Sequence, residues 1–115
     1  MQKKFSISVK SAFKASHWHD KTLNEAAHTH HFKYRVTLEG PLNEEGYLVD
    51  FRRLEAALKT LSAKLEGKDL NTIFKHPTAE KLAEYLFDAA AEQFKEVKEV
   101  ALQETEDYYA VCRAD

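Results

Sequence analysis

The chain has 115 residues, of which 43% are hydrophobic and 31% charged; this excludes intrinsic disorder and predicts a single domain over residues 1–115. The formal charge of −2, from 17 Lys and Arg against 19 Asp and Glu, disfavours a dedicated binder of nucleic acid or of an anionic membrane. The lone cysteine, Cys112, cannot form an internal disulfide, and no segment resembles a signal peptide or a membrane span, so a cytoplasmic location is predicted.

Two long strands are predicted in the first third of the chain. Over residues 5–17 the odd positions are mostly apolar, and this period of two indicates a strand with one buried face. Residues 19–27 are polar and are predicted to form a loop. A second alternation covers residues 28–38 and ends at the turn formed by Gly40 and Pro41.

Two helices are predicted next, each with a recognisable start. Asp50 is a good N-cap for the first helix, and Gly67 is placed to end it. Thr78 is the predicted cap of the second helix. The apolar residues recur at helical spacing; they are Phe51, Leu54, Leu58, Leu61 and Leu65 in the first helix, and Leu82, Tyr85, Leu86, Ala89 and Phe94 in the second.

Two short strands are predicted to close the chain, near residues 97–105 and 108–113, with a hairpin turn at Glu106 and Asp107. The order is therefore β-β-α-α-β-β. It predicts an α+β fold in which both helices cover one face of a four-stranded antiparallel sheet. The other face is less polar than full exposure to solvent requires, which suggests self-association.

Histidines suggest where chemistry occurs, because five of the six lie between His17 and His31. His28 and His30 are two apart on a predicted strand and therefore face the same side. His17 is in phase with the apolar face of the first strand. If the two strands pair antiparallel, the three imidazoles meet at one end of the sheet. Three imidazole nitrogens with an open fourth position would form a catalytic zinc site.

Less specific interpretations of these histidines stay open. The pattern His-x-His is common and is usually solvated. His19 has the same strand parity as His17, and His31 faces away from His30, so both are competing candidates. His76, which precedes Pro77, is most simply a surface turn residue.

Six short segments occur in a specific order along nearly the whole chain: Phe13-Lys14-Ala15-Ser16-His17, His28-Thr29-His30-His31-Phe32, Gly46-Tyr47-Leu48-Val49-Asp50-Phe51, Leu70-Asn71, Pro77-Thr78-Ala79-Glu80 and Gln103-Glu104-Thr105. Together they resemble the motifs of the 6-pyruvoyltetrahydropterin synthase and 6-carboxytetrahydropterin synthase family. The resemblance implies the tunnelling fold, in which three subunits close their sheets into a barrel and two trimers stack into a hexamer. Barrel closure would also protect the edge strands.

The resemblance also implies site residues by position. It implies a zinc ion held by three histidines, His17, His28 and His30. Glu104 matches the glutamate that anchors the pterin ring, and one carboxylate can accept two parallel hydrogen bonds from a ring N–H and an amino group. Thr78 and Thr105 fall at positions associated with pterin binding, although helix capping suffices to explain Thr78.

The chain departs from the family at the acid–base residues. The usual cysteine before the second motif is absent, and Glu66 and Gly67 replace the usual Asp-His pair. One branch of the family has glutamate instead of the cysteine, and Glu25 lies at that position here. Members of that branch convert 7,8-dihydroneopterin triphosphate to 6-hydroxymethyl-7,8-dihydropterin, a folate precursor. Glu25 is therefore the candidate base, with a solvated loop acid as the alternative interpretation. Glu66 or Asp69 could perform the second proton step. His31 and His19 are further substitutes, or zinc and one base could suffice.

The resulting hypothesis is a zinc-dependent pterin lyase or synthase that acts on 7,8-dihydroneopterin triphosphate or a related dihydropterin, in a folate-type or queuosine-type pathway. The alternative is a non-catalytic homologue that binds zinc and a pterin. A third interpretation is a structural oligomer in which zinc only links two strands.

Overall fold

The structure of the chain is a computed structural model that describes residues 1, 3–18 and 28–115, with the backbone alone for His28. Its strands are β1 (Phe5–His17), β2 (His28–Gly40), β3 (Val97–Gln103) and β4 (Tyr109–Arg113); its α-helices are α1 (Phe51–Leu65) and α2 (Ala79–Gln93), and a 3₁₀ helix spans Leu70–Thr72. The strands form one antiparallel sheet in the order β1-β2-β3-β4. The predicted α+β fold is confirmed.

The register of the sheet leaves one end of the β1–β2 pair projecting beyond the other strands. β1 and β2 pair along their whole length, from Phe5 opposite Gly40 to His17 opposite His28. The pairing of β2 with β3 starts only at Lys33, which lies opposite Gln103. Residues 28–32 therefore extend past the end of β3, and the histidine motifs lie on this projecting end.

The core lies between one face of the sheet and the two helices. Phe13 and Phe32 stack there with ring centroids 5.1 Å apart, and the leucines predicted for both helical stripes are buried. The prediction for Phe51 is wrong, because its side chain is 57% exposed. Phe51 begins α1, and the buried side of this helix starts only at Leu54. Among the described helices none is long and apolar enough to cross a membrane.

Both predicted N-caps and the predicted glycine stop are confirmed. Asp50 Oδ1 accepts a hydrogen bond from Arg52 N at 2.9 Å, and Thr78 Oγ1 accepts one from Lys81 N at 3.2 Å. Gly67 has φ +74°, a conformation that favours glycine, and it follows α1 as the fold requires.

The last hairpin differs from its prediction. β3 ends at Gln103 and β4 begins at Tyr109, so both strands are shorter than expected. The connection is closed by a hydrogen bond from Glu104 N to Tyr108 O at 3.0 Å. Glu104 and Thr105 therefore lie in the loop, beside the projecting end of β2, and not in a strand.

A buried chain of hydroxyl groups joins the sheet to α1. The Tyr34 hydroxyl donates to Leu58 O at 3.2 Å, so its oxygen accepts from Ser62 Oγ at 2.7 Å. Ser62 Oγ in turn accepts from Ser11 Oγ at 2.7 Å. Burial raises the pKa of Tyr34, which keeps the phenol protonated as a donor. The chain explains why the polar Ser11 lies on the apolar face of β1.

Replacement of Ser62 tests this chain. Ser62→Ala leaves two partly or fully buried hydroxyl groups without their partner, and we expect the free energy of unfolding in urea to fall by about 1–3 kcal/mol. Thr60→Ala is the matched control on the same helix, because its exposed hydroxyl only bonds Ala56 O; its effect should stay below about 0.5 kcal/mol. If both substitutions lowered the free energy of unfolding equally, the hydroxyl chain would not stabilise the fold as proposed.

Candidate functional site

Three potential metal-binding side chains meet at the projecting end of the sheet. His17, His30 and Glu104 each have a nitrogen or oxygen atom that lies within 4.8 Å of the corresponding atoms of the other two residues. Glu104 Oε1 is 2.8 Å from His17 Nε2 and 3.9 Å from His30 Nε2. Within the described ranges, this is the only such group of three or more His, Cys, Asp or Glu residues. We call it the donor cluster.

His17 is oriented by the backbone in front of α2. Its side chain is fully buried, and its Nδ1 lies 2.9 Å from the carbonyl oxygen of Pro77. A carbonyl oxygen only accepts hydrogen bonds, so Nδ1 is the protonated donor and Nε2 is directed at Glu104 and His30. In histidines that ligate metals, the ring nitrogen that does not bind the metal typically donates a hydrogen bond to a group such as a backbone carbonyl.

The strand register brings the two histidines together. His30 lies opposite the small residue Ala15, two positions from His17 along β1. The rings of His17 and His30 have centroids 5.0 Å apart and are nearly perpendicular, and both lie edge-on to Phe32 at 5.5 and 5.6 Å. The apolar ring of Phe32 thus supports both imidazoles from the core side.

His28 is paired with His17 in the backbone register. Its side chain lies outside the described part of the structure, so its assignment as a metal ligand stays a prediction. The candidate base Glu25 and the competing ligand His19 also lie outside the described residues.

Glu104 reaches the donor cluster because β3 ends one residue before it. Its side chain is 17% exposed and forms part of the wall of a cavity of about 590 Å³. The sequence predicted Glu104 as the pterin anchor; the structure adds a position beside the histidine nitrogens. The residues that line the cavity are Thr29, His30, His31, Lys33, Gln103, Glu104, Thr105 and Glu106.

The donor cluster fits a zinc ion. Imidazole nitrogens and carboxylate oxygens are zinc ligands, and bonds of about 2.0–2.1 Å in a tetrahedral arrangement separate neighbouring ligand atoms by roughly 3.3–3.4 Å. The two separations from Glu104 Oε1, 2.8 and 3.9 Å, lie on either side of that value. Small side-chain shifts would therefore suffice to place these ligand atoms around one zinc ion.

The other predicted site residues divide between the cavity and the edge of β1. Thr105 lines the cavity, and its hydroxyl accepts from Asp107 N at 3.3 Å. Glu66 instead accepts from Lys14 N at 3.1 Å, and Asp69 accepts from Asn71 N at 3.1 Å. Both carboxylates are exposed and are engaged with backbone outside the donor cluster.

The remaining candidates lie at the start of α2 or at the cavity wall. Thr78 caps α2 directly after Pro77, the residue that holds His17. His31 is exposed and lines the cavity beside His30. His76 is exposed in the turn before α2, where its carbonyl accepts from Thr78 N, as predicted for a surface turn residue.

Cys112 lies on β4, away from the donor cluster. Burial, with a smaller contribution from Glu84 and Asp88, raises the pKa of its thiol. A thiol that remains protonated is a poor nucleophile and a poor base, so Cys112 does not replace the cysteine that the family uses.

Sequence reasoning did not assign a structural role to Asn71, which holds the end of β1. Trp18 N donates to Asn71 Oδ1 at 2.9 Å, and Asn71 Nδ2 donates to Trp18 O at 2.9 Å. Gly67 N donates to Lys14 O at 2.7 Å, and Ser16 N donates to Lys68 O at 3.0 Å. The segment after α1 therefore continues the hydrogen bonding along the outer edge of β1, up to the residue next to His17. The Leu-Asn motif marked this asparagine, but spacing alone carries no information about its partner.

Comparison with known proteins identifies relatives along almost the whole chain. The profile of the 6-pyruvoyl tetrahydropterin synthase family matches residues 6–115. A protein of Archaeoglobus fulgidus with the provisional name 6-carboxy-5,6,7,8-tetrahydropterin synthase is 30% identical over 116 residues, which cover 98% of this chain and 99% of that protein. The dihydroneopterin monophosphate aldolase of Pyrococcus furiosus is 31% identical over 80 residues, 70% of this chain and 69% of the aldolase.

Solved structures have the same fold. The 6-pyruvoyl tetrahydropterin synthase of Caenorhabditis elegans superposes with a TM-score of 0.85 at 18% identity, covering 98% of this chain and 97% of the other. A 6-pyruvoyltetrahydropterin synthase of Plasmodium vivax in which a catalytic glutamate is replaced by alanine gives 0.83 at 15% identity, with 99% of both chains covered.

Replacement of Asn71 tests whether it positions His17. In Asn71→Ala, Trp18 N and Trp18 O lose both side-chain hydrogen bonds, so we expect faster amide exchange at Trp18 and a loss of about 1–3 kcal/mol in unfolding free energy. If the donor cluster holds zinc, the zinc affinity should also fall, because Asn71 holds the residue next to His17. Trp18 is the only tryptophan, so its fluorescence reports the change locally.

The matched control is Asn43→Ala. The Asn43 side chain also forms two hydrogen bonds to backbone, both accepted from N–H groups, those of Glu45 and Tyr47. This turn lies in a different segment. Asn43→Ala should lower stability and leave Trp18 exchange and zinc affinity unchanged. Unchanged Trp18 exchange in Asn71→Ala would contradict the positioning role.

Proposed function

Because the chain belongs to the 6-pyruvoyl tetrahydropterin synthase family, we propose that it is a zinc-dependent enzyme that acts on the side chain of 7,8-dihydroneopterin triphosphate or a related phosphorylated dihydropterin. The observation that carries the proposal is the donor cluster at the wall of a cavity, with Glu104 reaching both the histidines and the cavity. A flat heterocycle in that cavity would lie next to the metal position.

In this proposal three histidines hold the ion: His17, His28 and His30. The fixed tautomer of His17 supports it, since the Pro77 contact leaves Nε2 for the metal. When bound, zinc supplies a positive charge that polarises a side-chain oxygen of the substrate and acidifies adjacent positions. The ring of His17 is fully buried, whereas the side chain of His30 is 23% exposed, so His17 is held more firmly than His30.

Glu104 is proposed to anchor the pterin ring, with Thr105 and Thr78 as further contacts. A carboxylate at the cavity wall can accept two hydrogen bonds from the ring N–H and the exocyclic amino group. Thr105 lines the same cavity, which supports its assignment. Thr78 is occupied with capping α2, so its contribution to the ligand would be secondary.

Glu25 is proposed as the catalytic base. Cleavage of a carbon–carbon bond in the side chain needs a base that takes a hydroxyl proton and an acid that returns a proton to the carbon left on the ring. The catalytic glutamate of the Plasmodium vivax synthase supports a carboxylate in this role. The Pyrococcus furiosus aldolase, whose name denotes cleavage of a dihydroneopterin, supports the type of reaction. Glu66 and Asp69 are weaker candidates for the second step, because Glu66 bonds to Lys14 N on β1 and Asp69 caps the 3₁₀ helix through Asn71 N.

Self-association is part of the proposal. β1 and β4 are the edge strands of the sheet. The segment after α1 bonds to β1 near Lys14 and Ser16, and the rest of this edge and the edge of β4 favour pairing with another chain. Exposed Phe5 on β1 and exposed Tyr109 and Val111 on β4 support a trimer-based homo-oligomer, a hexamer by analogy with the family. The proposed setting is cytoplasmic, in a folate-type or queuosine-type pathway.

A non-catalytic zinc- and pterin-binding protein is the second candidate. The observation in its favour is Gly67 at the family's histidine position, because glycine has no group that can move a proton. It predicts saturable pterin binding without a product. The third candidate, a metal that only links β1 and β2, predicts that zinc removal lowers the melting temperature and affects no ligand.

Zinc titration of single variants tests the metal site. His17→Ala should lower zinc affinity by at least about 100-fold, beyond the usual cost of losing an outer-shell partner, whereas the exposed His76→Ala is the matched control and should bind normally. Glu104→Gln separates two roles: an anchor retains zinc and loses pterin binding, while a ligand loses zinc as well. Normal zinc affinity in His17→Ala would contradict the site.

Turnover of the zinc-loaded protein tests the reaction. We expect 7,8-dihydroneopterin triphosphate to be converted to a new pterin, identified by mass spectrometry. Glu25→Gln should reduce kcat by about 10²–10⁴-fold, the usual contribution of a general base, with zinc content unchanged. Glu66→Gln and Asp69→Asn serve as comparisons and should have smaller effects. Pterin binding without any product would contradict the enzyme and favour the second candidate.

A further inference from the structure

A second cavity lies on the face of the sheet that is opposite the helices. It has a volume of about 310 Å³, and three cationic side chains line it: Lys10, Lys33 and Arg35. Gln103 and Tyr109 add an amide and a phenol that can donate hydrogen bonds. None of its described lining residues is acidic. We call it the basic cavity.

The cations of the basic cavity have no carboxylate partner among the described residues. Lys10 on β1 lies directly opposite Arg35 on β2, and like charges in this position destabilise a sheet. Across the described part of the chain, Lys10, Lys33 and Arg35 form no ion pair within 4.0 Å.

Two other cations near the sheet have carboxylate partners. Arg113 pairs with Glu99 at 2.7 Å, and Lys4 is 3.9 Å from Glu39. The like charges of the basic cavity lack such partners among the described residues, and a bound anion would relieve their repulsion.

The basic cavity adjoins the cavity at the donor cluster. Lys33 and Gln103 are register partners on β2 and β3, and both residues line both cavities. They form the last pair at the end of β3, where the sheet narrows to β1 and β2. One ligand could therefore pass around this end, with one part beside Glu104 and another beside Lys33.

We propose that the basic cavity binds the phosphate groups of the substrate, with Lys33 nearest the donor cluster and with Arg35 and Lys10 beyond it. The inference rests on the proposed function, and it assigns the anionic part of the substrate to residues that the family motifs do not include. Arginine matches phosphate oxygens with two parallel N–H groups, and lysine acts as a point charge. Three cations without a carboxylate suit an oligophosphate or phosphate ester better than a neutral side chain.

Calorimetric titration with inorganic tripolyphosphate tests the basic cavity directly. We expect saturable binding that weakens with added salt, and at least about tenfold weaker binding in Lys33→Gln and Arg35→Gln. Lys64→Gln is the matched control, because Lys64 is an exposed lysine in the last turn of α1; it should bind normally. Arg35→Gln also removes the repulsion with Lys10, so its melting temperature without anion should equal or exceed that of the parent protein. Equal affinity of all variants would overturn the proposal.

A comparison of two pterins separates this inference from the proposed function. 7,8-Dihydroneopterin triphosphate should bind at least about tenfold more weakly to Arg35→Gln, while unphosphorylated 7,8-dihydroneopterin should bind equally to Arg35→Gln and to the parent protein. If both pterins bind and neither responds to the substitution, the phosphate site is wrong and the proposed function stands. If neither pterin binds but tripolyphosphate does, the basic cavity recognises free phosphate anions; the proposed function is then wrong, and the assignment to substrate phosphates fails with it.

Discussion

The antiparallel ladder between β1 and β2 is the constraint on which the site depends. It runs without interruption from Phe5 opposite Gly40 to His17 opposite His28. A shift of one residue would move every side chain of a strand to the other face of the sheet, and His17 would leave the donor cluster. The stacked rings of Phe13 and Phe32 resist that shift, because both would lose their place in the core. Packing of the core thereby secures the position of the side chains of the donor cluster.

The connections around the helices support the end of β1 from outside the sheet. After α1 the chain follows β1 and bonds to it through Lys68 and Asn71. Before α2 the carbonyl of Pro77 fixes the ring of His17. A strand end that projects beyond its sheet would otherwise have few contacts and would open easily. These contacts hold His17 rigid, which a preorganised metal site requires.

The two faces of the sheet differ in charge, and this difference bears on the proposed substrate. The helix-covered face is apolar up to the donor cluster, while the opposite face carries Lys10, Lys33 and Arg35 without carboxylate partners in the described residues. A phosphorylated heterocycle has two corresponding parts, a flat ring that suits the side of the donor cluster and an anionic group that suits the cationic face. The end of β3 is where both faces are accessible from one side.

Local patterns in the sequence determined the elements, their caps and the convergence of the histidines. The periods of two and 3.6 and the capping residues Asp50, Gly67 and Thr78 are signals that act over a few positions of the chain. Strand parity together with antiparallel pairing suffices to bring His17 near His30. Tertiary structure alone decided the rest. Glu104 lies beside His17 because β3 ends one residue before it, and Asn71 bonds Trp18 across 53 positions of sequence. These contacts depend on where the ends of distant elements meet in space, and the spacing of residues within a short segment carries no information about that.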